Sequence, residues 1–275
     1  MASSQDEVTA AKVSPPRASH HRRCPRLLVH SAIGFGLVVV SLVLVFVFNS
    51  AFSLSASPLP RGRSTPVIVV LGDSITEYGE NPQLMGYASM LANAYVRRAD
   101  VVNRGSAGWT TRTWLPLFPA MVQDWERKPP ALVSIFLGAN DAAVDTDAQH
   151  VPIDEFASNL REMVRLIQQV FPACHVMLVT PPTVDDATCI YPRRNALTEV
   201  YAKSCVEVGA ALNVSVVDLW TAFQNRQNTT KRLHVANDGL HLNDIGNELV
   251  YDLWLAQVNQ DMPLLSPRQL PIVFS

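Results

Sequence analysis

The stretch PVIVVLGDSIT, residues 66–76, decides the fold of this chain. Its first six residues are a continuous apolar run rich in valine, without the alternation of a half-exposed strand. Such a run is typical of a strand that is covered on both faces, as in a parallel sheet. Gly72 and Asp73 end the run, and Ser74 follows directly. The stretch therefore predicts a buried strand whose carboxyl end presents a hydroxyl.

Similar short apolar runs recur along the chain between longer amphipathic segments. The four further predicted strands are DVVN (100–103), ALVSIFL (131–137), CHVMLVT (174–180) and VSVVDL (214–219). A helix is predicted over 153–170, where apolar residues recur every three or four positions, and others over about 86–98, 194–209 and 243–260. This alternation of strands and helices predicts an α/β fold: a three-layer, doubly wound, parallel sheet of five strands.

Polar residues follow four of these elements at the edge where an open α/β sheet binds its ligands. The segments are GDSIT (72–76), RGSAG (104–108), GAND (138–141) and DGLH (238–241). A serine needs a base to become a nucleophile, and a carboxylate can orient an imidazole for that purpose. Backbone and amide N–H groups can stabilise an oxyanion. The four segments together predict a site for acyl transfer.

Each segment also has a simpler interpretation. Ser74 could cap the next helix, Asn140 could belong to a turn, and Gly108 could be a hinge. The Asp-x-x-His spacing occurs twice, because Asp147 and His150 repeat the spacing of Asp238 and His241. A solvated loop pair is the favoured interpretation of 147 and 150, which lie before the helix that starts near Pro152. The order Ser, Gly, Asn, Asp, His, each beyond its own strand, favours a hydrolase.

The segments GDSIT, NRGSAGWTT, GAND and DGLH resemble the four blocks of the SGNH (GDSL-type) hydrolases. QHVPIDEF, VVDLW and NDGLHL make the chain most similar to the isoamyl acetate-hydrolysing esterase group. The resemblance implies a flavodoxin-like sheet, with Ser74 as nucleophile, His241 as general base and Asp238 as its orienting carboxylate. It also implies an oxyanion hole formed by the N–H groups of Ser74 and Gly108 and the side-chain amide of Asn140. It implies no metal and no organic cofactor.

The N-terminal region contains AIGFGLVVVSLVLVFVF (32–48), with no Asp, Glu, Lys or Arg between Leu27 and Pro60. Its length and flanks favour a transmembrane helix over a buried core helix, and an uncleaved signal anchor over a cleaved signal peptide. Four arginines precede it and two follow it, so the N-terminus is predicted to be cytoplasmic. The catalytic domain of this single-pass protein would then be lumenal or extracellular.

These features predict five segments along the chain. They are a basic cytoplasmic tail (1–31), a signal-anchor helix (32–52), a Ser/Pro linker (53–65), an SGNH hydrolase domain (66–262) and a C-terminal tail (263–275). A secretory location agrees with two glycosylation sequons, at Asn228 and Asn213. It also permits a disulfide, for which Cys189 and Cys205 are the candidates, since Cys174 opens an apolar run.

The charge balance limits the classes of binding partner that are expected. The chain has 22 Lys and Arg against 24 Asp and Glu, a net charge of -2. Because the first 31 residues carry five basic and two acidic side chains, the rest is acidic, and nucleic-acid binding is not expected. The sequence therefore predicts a membrane-anchored serine esterase for small, acetyl-type carboxylic esters. The alternatives are a glycan O-acetylesterase, a lipase or thioesterase, and a catalytically idle binding module.

Overall fold

Five parallel strands form one sheet in the order β2-β1-β3-β4-β5. The structure is a computed structural model that describes residues 65–227 and 232–273. The strands are β1 (Val67–Gly72), β2 (Asp100–Gly105), β3 (Pro130–Phe136), β4 (His175–Val179) and β5 (Ser215–Val217). All five predicted strands are present, and their order is that of flavodoxin-like sheets.

Eight α-helices connect and cover the strands in the described part of the chain. They are α1 (Ser74–Tyr78), α2 (Tyr87–Ala94), α3 (Thr111–Trp114), α4 (Phe118–Trp125), α5 (Ile153–Val170), α6 (Asn195–Leu212), α7 (Leu219–Gln227) and α8 (Asp244–Asp261). Short 3₁₀ turns lie at Pro82–Leu84, Leu115–Leu117 and Pro263–Leu265. The predicted helix over 153–170 has the bounds that its periodicity indicated.

The sheet separates two apolar cores because successive side chains of a strand point to opposite faces. Ile68 and Val70 of β1 belong to the first core, which α2 and α8 cover. The second core contains Val67, Val69 and Leu71 of the same strand and is covered by α4, α5 and α6. All five residues are buried, as the unbroken apolar run predicted. The predicted three-layer α/β fold is therefore confirmed.

Two helical regions differ from the sequence prediction. The helix predicted over 86–98 ends at Ala94, and Arg97 then adopts a left-handed conformation with φ of 61°. The helices α3 and α4 were not predicted, because Pro116 and Pro119 interrupt the apolar pattern of that region. In the structure these prolines lie in the first turns of a 3₁₀ helix and of α4, where a missing N–H costs nothing.

The C-terminal residues pack on the domain instead of forming a separate tail. Leu270 and Val273 are buried, and the N–H of Val273 donates to the carbonyl of Arg97 at 2.8 Å. The hydroxyl of Tyr95 donates to the carbonyl of Leu265. Residues 263–273 therefore pack against the domain, and Leu270 belongs to the first core.

The predicted disulfide between Cys189 and Cys205 is absent. Cys174, Cys189 and Cys205 are free thiols. Cys205 is buried in the second core, whereas Cys189 packs against the first, on the other face of the sheet. The proposed pairing was wrong because the sequence does not reveal which side of the sheet each residue occupies.

Several predicted features of the secretory interpretation fall on residues that the structure does not describe. The segments 1–31, 32–52 and 53–64 and the sequon asparagine Asn228 lie outside the described residues. Within 65–227 and 232–273, no helix combines the length and hydropathy that a membrane crossing requires. Asn213 is described, and it is an exposed left-handed residue at the end of α6. It is thus more accessible than its position beside an apolar strand indicated.

Candidate active site

The strand order creates the site at the carboxyl ends of the central strands. β1 pairs with β2 on one side and with β3 on the other, so the chain winds in opposite directions from β1. Such a reversal opens a crevice beyond the strand ends. Ser74 follows β1 and Asn140 follows β3, and both side chains are almost fully buried.

The turn after β1 holds Ser74 at the start of α1. Asp73 is the N-cap of that helix, and its carboxyl accepts a hydrogen bond from the N–H of Ile75 at 2.9 Å. Ser74 is therefore the first helical residue, and the interpretation of Ser74 itself as the cap was wrong. With the neighbouring Asp73 engaged by the backbone, the Ser74 hydroxyl remains available for another partner.

That partner is His241, and the two residues form a relay with Asp238. Ser74 Oγ lies 2.8 Å from His241 Nε2, and His241 Nδ1 lies 2.9 Å from Asp238 Oδ2. An ionised carboxylate can only accept a hydrogen bond, so Nδ1–H donates to Asp238. Nε2 is then left as the acceptor for the Ser74 hydroxyl proton. This order is the one in which an imidazole can activate a serine.

Asp238 is kept in its ionised form by the donors that surround it. Burial alone would raise its pKa, but the His241 ring and the N–H groups of His241 and Leu240 hold the pKa below its ordinary value. Oδ1 accepts the two N–H bonds, at 2.6 and 2.9 Å. Because Oδ1 is held in this way, Oδ2 is directed at the imidazole.

The loop that carries Asp238 is fixed by a second loop, which follows β4. The carbonyls of Asp238 and Gly239 accept hydrogen bonds from the N–H groups of Ile190 and Asp185. Gly239 has a φ of +71°, and a Cβ atom there would lie 2.4 Å from the backbone nitrogen of Cys189. A glycine is therefore required where the two loops touch.

The predicted oxyanion donors Gly108 and Asn140 lie in two turns at the carboxyl ends of β2 and β3. Gly108 lies in the turn after β2 with a φ of +78°, a conformation that favours glycine. The side-chain amide of Asn140 donates to the carbonyl of Trp109 at 2.9 Å, which links the turn after β3 to the turn after β2. The residues predicted from separate sequence segments are thus brought together at one rim of the sheet.

Sequence reasoning missed two kinds of residue at this site. Tyr78 and Tyr191 place their rings 5.0 and 5.6 Å from the His241 ring, and the Tyr191 hydroxyl lies 3.3 Å from Asp238 Oδ2. Arg193 is buried and contacts the side chain of Asn140. Single tyrosines and an arginine in a loop carry no periodicity or motif, so no local pattern distinguishes them.

Two further carboxyls are buried under the site. Burial raises the pKa of Asp73 to about 7, although the hydrogen bond from Ile75 lowers it. Burial likewise raises the pKa of Asp141 to about 6, although the hydrogen bonds from Thr111 lower it. Asp141 Oδ1 accepts from both the N–H and the hydroxyl of Thr111, whereas Oδ2 has no partner among the described atoms. These carboxyls differ from Asp238, since neither faces an imidazole.

The second Asp-x-x-His pair does not form a relay. His150 Nδ1 lies 2.8 Å from the carbonyl oxygen of Ala143, while Asp147 Oδ1 accepts from the N–H of Gln149. Asp147 Oδ1 also lies 4.0 Å from the guanidinium of Arg193. Its histidine and its carboxylate therefore bind different partners, and no hydroxyl of the described residues is hydrogen-bonded to the ring.

Comparison with known proteins identifies the family of this chain. The family model described as the GDSL-like lipase/acylhydrolase family matches residues 70–249. The chain belongs to the GDSL-like lipase/acylhydrolase family. It is 37% identical over 226 residues to a GDSL esterase/lipase of Arabidopsis thaliana, covering 76% of this chain and 91% of that protein. It is 36% identical over 227 residues to the rat isoamyl acetate-hydrolyzing esterase 1 homolog, covering 75% and 86%.

A solved structure is similar as well. The crystal structure of a lipase/acylhydrolase from Enterococcus faecalis matches with a TM-score of 0.59 and 28% identity, over 76% of this chain and 98% of that one. The chain therefore has the SGNH hydrolase fold and is a carboxylic ester hydrolase. Among the residues that the structure describes, no cluster of His, Cys, Asp and Glu is arranged to hold a metal ion.

Proposed function

We propose that this esterase hydrolyses small, acetyl-type carboxylic esters through an acyl-enzyme on Ser74. The observation that carries the proposal is the continuous relay from Ser74 Oγ through His241 to Asp238, with distances of 2.8 and 2.9 Å. The relative named an isoamyl acetate-hydrolyzing esterase 1 homolog supports a short acyl group and an alcohol leaving group.

The reaction would proceed in two halves. Ser74 Oγ attacks the ester carbonyl while its proton moves to His241 Nε2, and the carbonyl oxygen becomes an oxyanion. The oxyanion collapses, the ester bond breaks, and the proton on Nε2 leaves with the alcohol. A water molecule then gives a proton to Nε2 while its oxygen attacks the acyl carbonyl. The second oxyanion collapses, the bond between the acyl carbon and Ser74 Oγ breaks, and Oγ takes the proton back from Nε2 as the acid leaves.

In this scheme the surrounding donors act on the transition state. The N–H groups of Ser74 and Gly108 and the amide of Asn140 would stabilise the negative charge that develops on the carbonyl oxygen. Asp238 would hold the imidazole in the tautomer that leaves Nε2 free to accept a proton, and would stabilise the imidazolium that forms.

Hydrolysis of p-nitrophenyl esters of increasing acyl length tests the proposal, with Ser74→Ala as the variant. The unaltered chain should turn over the acetate fastest, and a fluorophosphonate probe should label it at Ser74. Ser74→Ala should fold, lose the label and lose turnover. Undiminished hydrolysis by purified Ser74→Ala would refute the nucleophile assignment. A preference for long acyl chains, thioesters or acetylated glycans would select one of the alternative substrates, and an unlabelled, inactive chain would indicate the binding module.

We further propose that residues 32–52 anchor the esterase in a secretory membrane, with residues 1–31 cytoplasmic and the catalytic domain on the opposite side. The proposal is supported by the uncharged stretch from 27 to 60 and by the excess of arginine before it. Asn213 and Asn228 would then be available for glycosylation. Epitope tags at both ends and protease treatment of sealed vesicles test this arrangement. A C-terminal tag that is cleaved from microsomes whose lumen remains sealed would contradict it.

A further inference from the structure

Arg193 is a buried cation directly behind the predicted oxyanion hole. Its residue is 1% exposed, and it lies in the loop between β4 and α6. A buried guanidinium is costly unless its N–H groups are bonded and its charge is compensated. The hydrogen-bond partners of Arg193 therefore indicate its role.

The donors of Arg193 converge on the segment that follows β3. Nε donates to the carbonyl of Ala139 at 2.8 Å, and Nη2 donates to Asn140 Oδ1 at 3.0 Å. Nη2 also donates to Gln149 Oε1 at 2.6 Å. Nη1 is left with the carbonyl of Pro192 and with Asp147, whose Oδ1 is 4.0 Å away. The guanidinium of Arg193 thus donates to a backbone carbonyl and to the Asn140 side chain within the same turn.

The contact with Asn140 decides which end of its amide faces the substrate. Arginine has no acceptor atom, so the Asn140 atom that it contacts must be Oδ1. Nδ2 is consequently turned away from Arg193. Its two hydrogens cannot both be used by the carbonyl of Trp109, and the second is available to a reacting oxygen. The positive charge beside Oδ1 also polarises the amide and makes Nδ2 a stronger donor.

Gln149 extends the same control to Gly108. Its Oε1 accepts from Arg193, and its Nε2 donates to the carbonyl of Gly108 at 2.7 Å. Because Arg193 fixes the orientation of the Gln149 amide, it also fixes the donor that holds the Gly108 turn. Two predicted oxyanion donors from different strand ends are therefore connected to one guanidinium.

We propose that Arg193 is a positioning residue of the oxyanion hole, acting on Asn140 directly and on Gly108 through Gln149. This inference rests on the proposed serine-esterase function. Arg193 does not touch the reacting atoms, and its effect is exerted through the orientation of the donors. It should therefore change the stabilisation of the transition state more than the binding of the ester.

Arg193→Met tests the proposal with p-nitrophenyl acetate as substrate. The substitution removes every side-chain N–H donor of residue 193 and keeps a long, unbranched side chain at this buried position. The kcat should fall about 10- to 100-fold, less than the 10²- to 10³-fold expected for Asn140→Ala, which removes a donor itself. The KM should change by less than about threefold, since the ester is not contacted. Arg193→Lys keeps the charge and should recover part of the lost kcat.

A double-mutant cycle with Asn140→Ala separates positioning from a purely structural role. If Arg193 acts mainly through Asn140, Arg193→Met should cost less than about threefold in kcat once Asn140 is already alanine. A loss that arises only from a loosened fold would remain in the Asn140→Ala background. Arg161→Met, at an exposed arginine of α5, is the matched control and should leave kcat unchanged.

The outcomes distinguish this inference from the function on which it rests. An unaltered chain that hydrolyses no ester would refute both. An active chain whose folded Arg193→Met variant keeps kcat within twofold, or whose losses multiply fully in the cycle, would refute the inference alone. If Arg193→Met does not fold, Gln149→Leu replaces it, because Gln149 is only half-buried. That variant should lower kcat about 3- to 10-fold with KM preserved, and an unchanged kcat would refute the inference.

Discussion

The pairs Asp238–His241 and Asp147–His150 have the same sequence spacing and different surroundings. In the first pair both ring nitrogens of the histidine are engaged, one by Asp238 and one by Ser74. In the second pair the ring contacts a backbone carbonyl, and Asp147 lies near Arg193. The spacing brings a carboxylate and an imidazole close in the chain, but the hydroxyl of Ser74, just after β1, makes only the first pair a candidate catalytic relay.

The surroundings also show why the two aspartates differ. Asp238 accepts from the N–H groups of Leu240 and His241 through Oδ1, so Oδ2 is left for the ring. Asp147 accepts from the N–H of Gln149 through Oδ1, and the same oxygen is the one nearest to Arg193. One carboxylate orients an imidazole, whereas the other lies near a buried cation.

Replacing the two histidines gives the largest contrast. His241→Gln removes the base beside Ser74 and should lower kcat/KM by about 10³-fold or more. His150→Gln removes a ring whose Nδ1 lies 2.8 Å from the carbonyl oxygen of Ala143, and it should leave kcat/KM within about twofold. Steady-state hydrolysis of p-nitrophenyl acetate measures both. Comparable losses in the two variants would show that the second pair also participates in the reaction.

Replacing the two aspartates should give a smaller contrast of the same kind. Asp238→Asn places an amide against Nδ1 and disturbs the tautomer, so kcat should fall about 10²- to 10⁴-fold. Asp147→Asn removes the carboxylate charge that lies 4.0 Å from the buried Arg193 and should lower the free energy of unfolding by about 1–3 kcal/mol. Its kcat should fall much less than that of Asp238→Asn.

Kinetics and thermal unfolding on the same preparations separate the two outcomes. An Asp238→Asn variant with unaltered kcat would mean that His241 is oriented sufficiently by other contacts. An Asp147→Asn variant that loses as much kcat as Asp238→Asn would mean that the compensation of Arg193 is itself essential for turnover.

These contrasts indicate how far the sequence alone could lead. The strands and the long helix α5 were predictable because they depend on local apolar periodicity. Ser74, Asp238 and His241 were predictable because each follows an element whose carboxyl end lies on one rim of the sheet. Arg193 was not, since its partners Ala139 and Gln149 lie 54 and 44 positions away. The disulfide prediction failed for a different reason, because the sequence does not reveal that the sheet separates Cys189 from Cys205.

A third prediction uses pH to compare two carboxyls of the site. Asp238 is held ionised, whereas burial raises the pKa of Asp73 to about 7. The native state therefore favours protonated Asp73, and this contribution to stability is present at low pH and is lost as the pH rises towards 7. Asp73→Asn keeps an acceptor for Ile75 and cannot ionise. At pH 8 its free energy of unfolding should therefore exceed that of the unaltered chain by about 1 kcal/mol or more. At pH 5 this difference should be smaller.

Urea unfolding at the two pH values measures this difference. Asp124→Asn, at an exposed aspartate of α4, is the control and should show the same stability change at pH 5 and pH 8. For Asp238 the sign is opposite, because a lowered pKa contributes stability that is lost as the pH falls through it. An Asp73→Asn variant whose advantage does not grow between pH 5 and pH 8 would show that Asp73 is already ionised at low cost.

The smallest expected effect concerns Tyr191, which reinforces only the first pair. Its hydroxyl lies 3.3 Å from Asp238 Oδ2, the oxygen that also accepts from His241. Tyr191→Phe keeps the ring beside the imidazole and removes this long hydrogen bond, so kcat should fall only about two- to fivefold. Tyr78→Phe is the matched control. The Tyr78 ring also lies beside His241, but the hydroxyl that donates to Asp238 is that of Tyr191. Equal kcat values for the two variants would mean that the rings, and not the hydroxyl, are what the relay requires from these tyrosines.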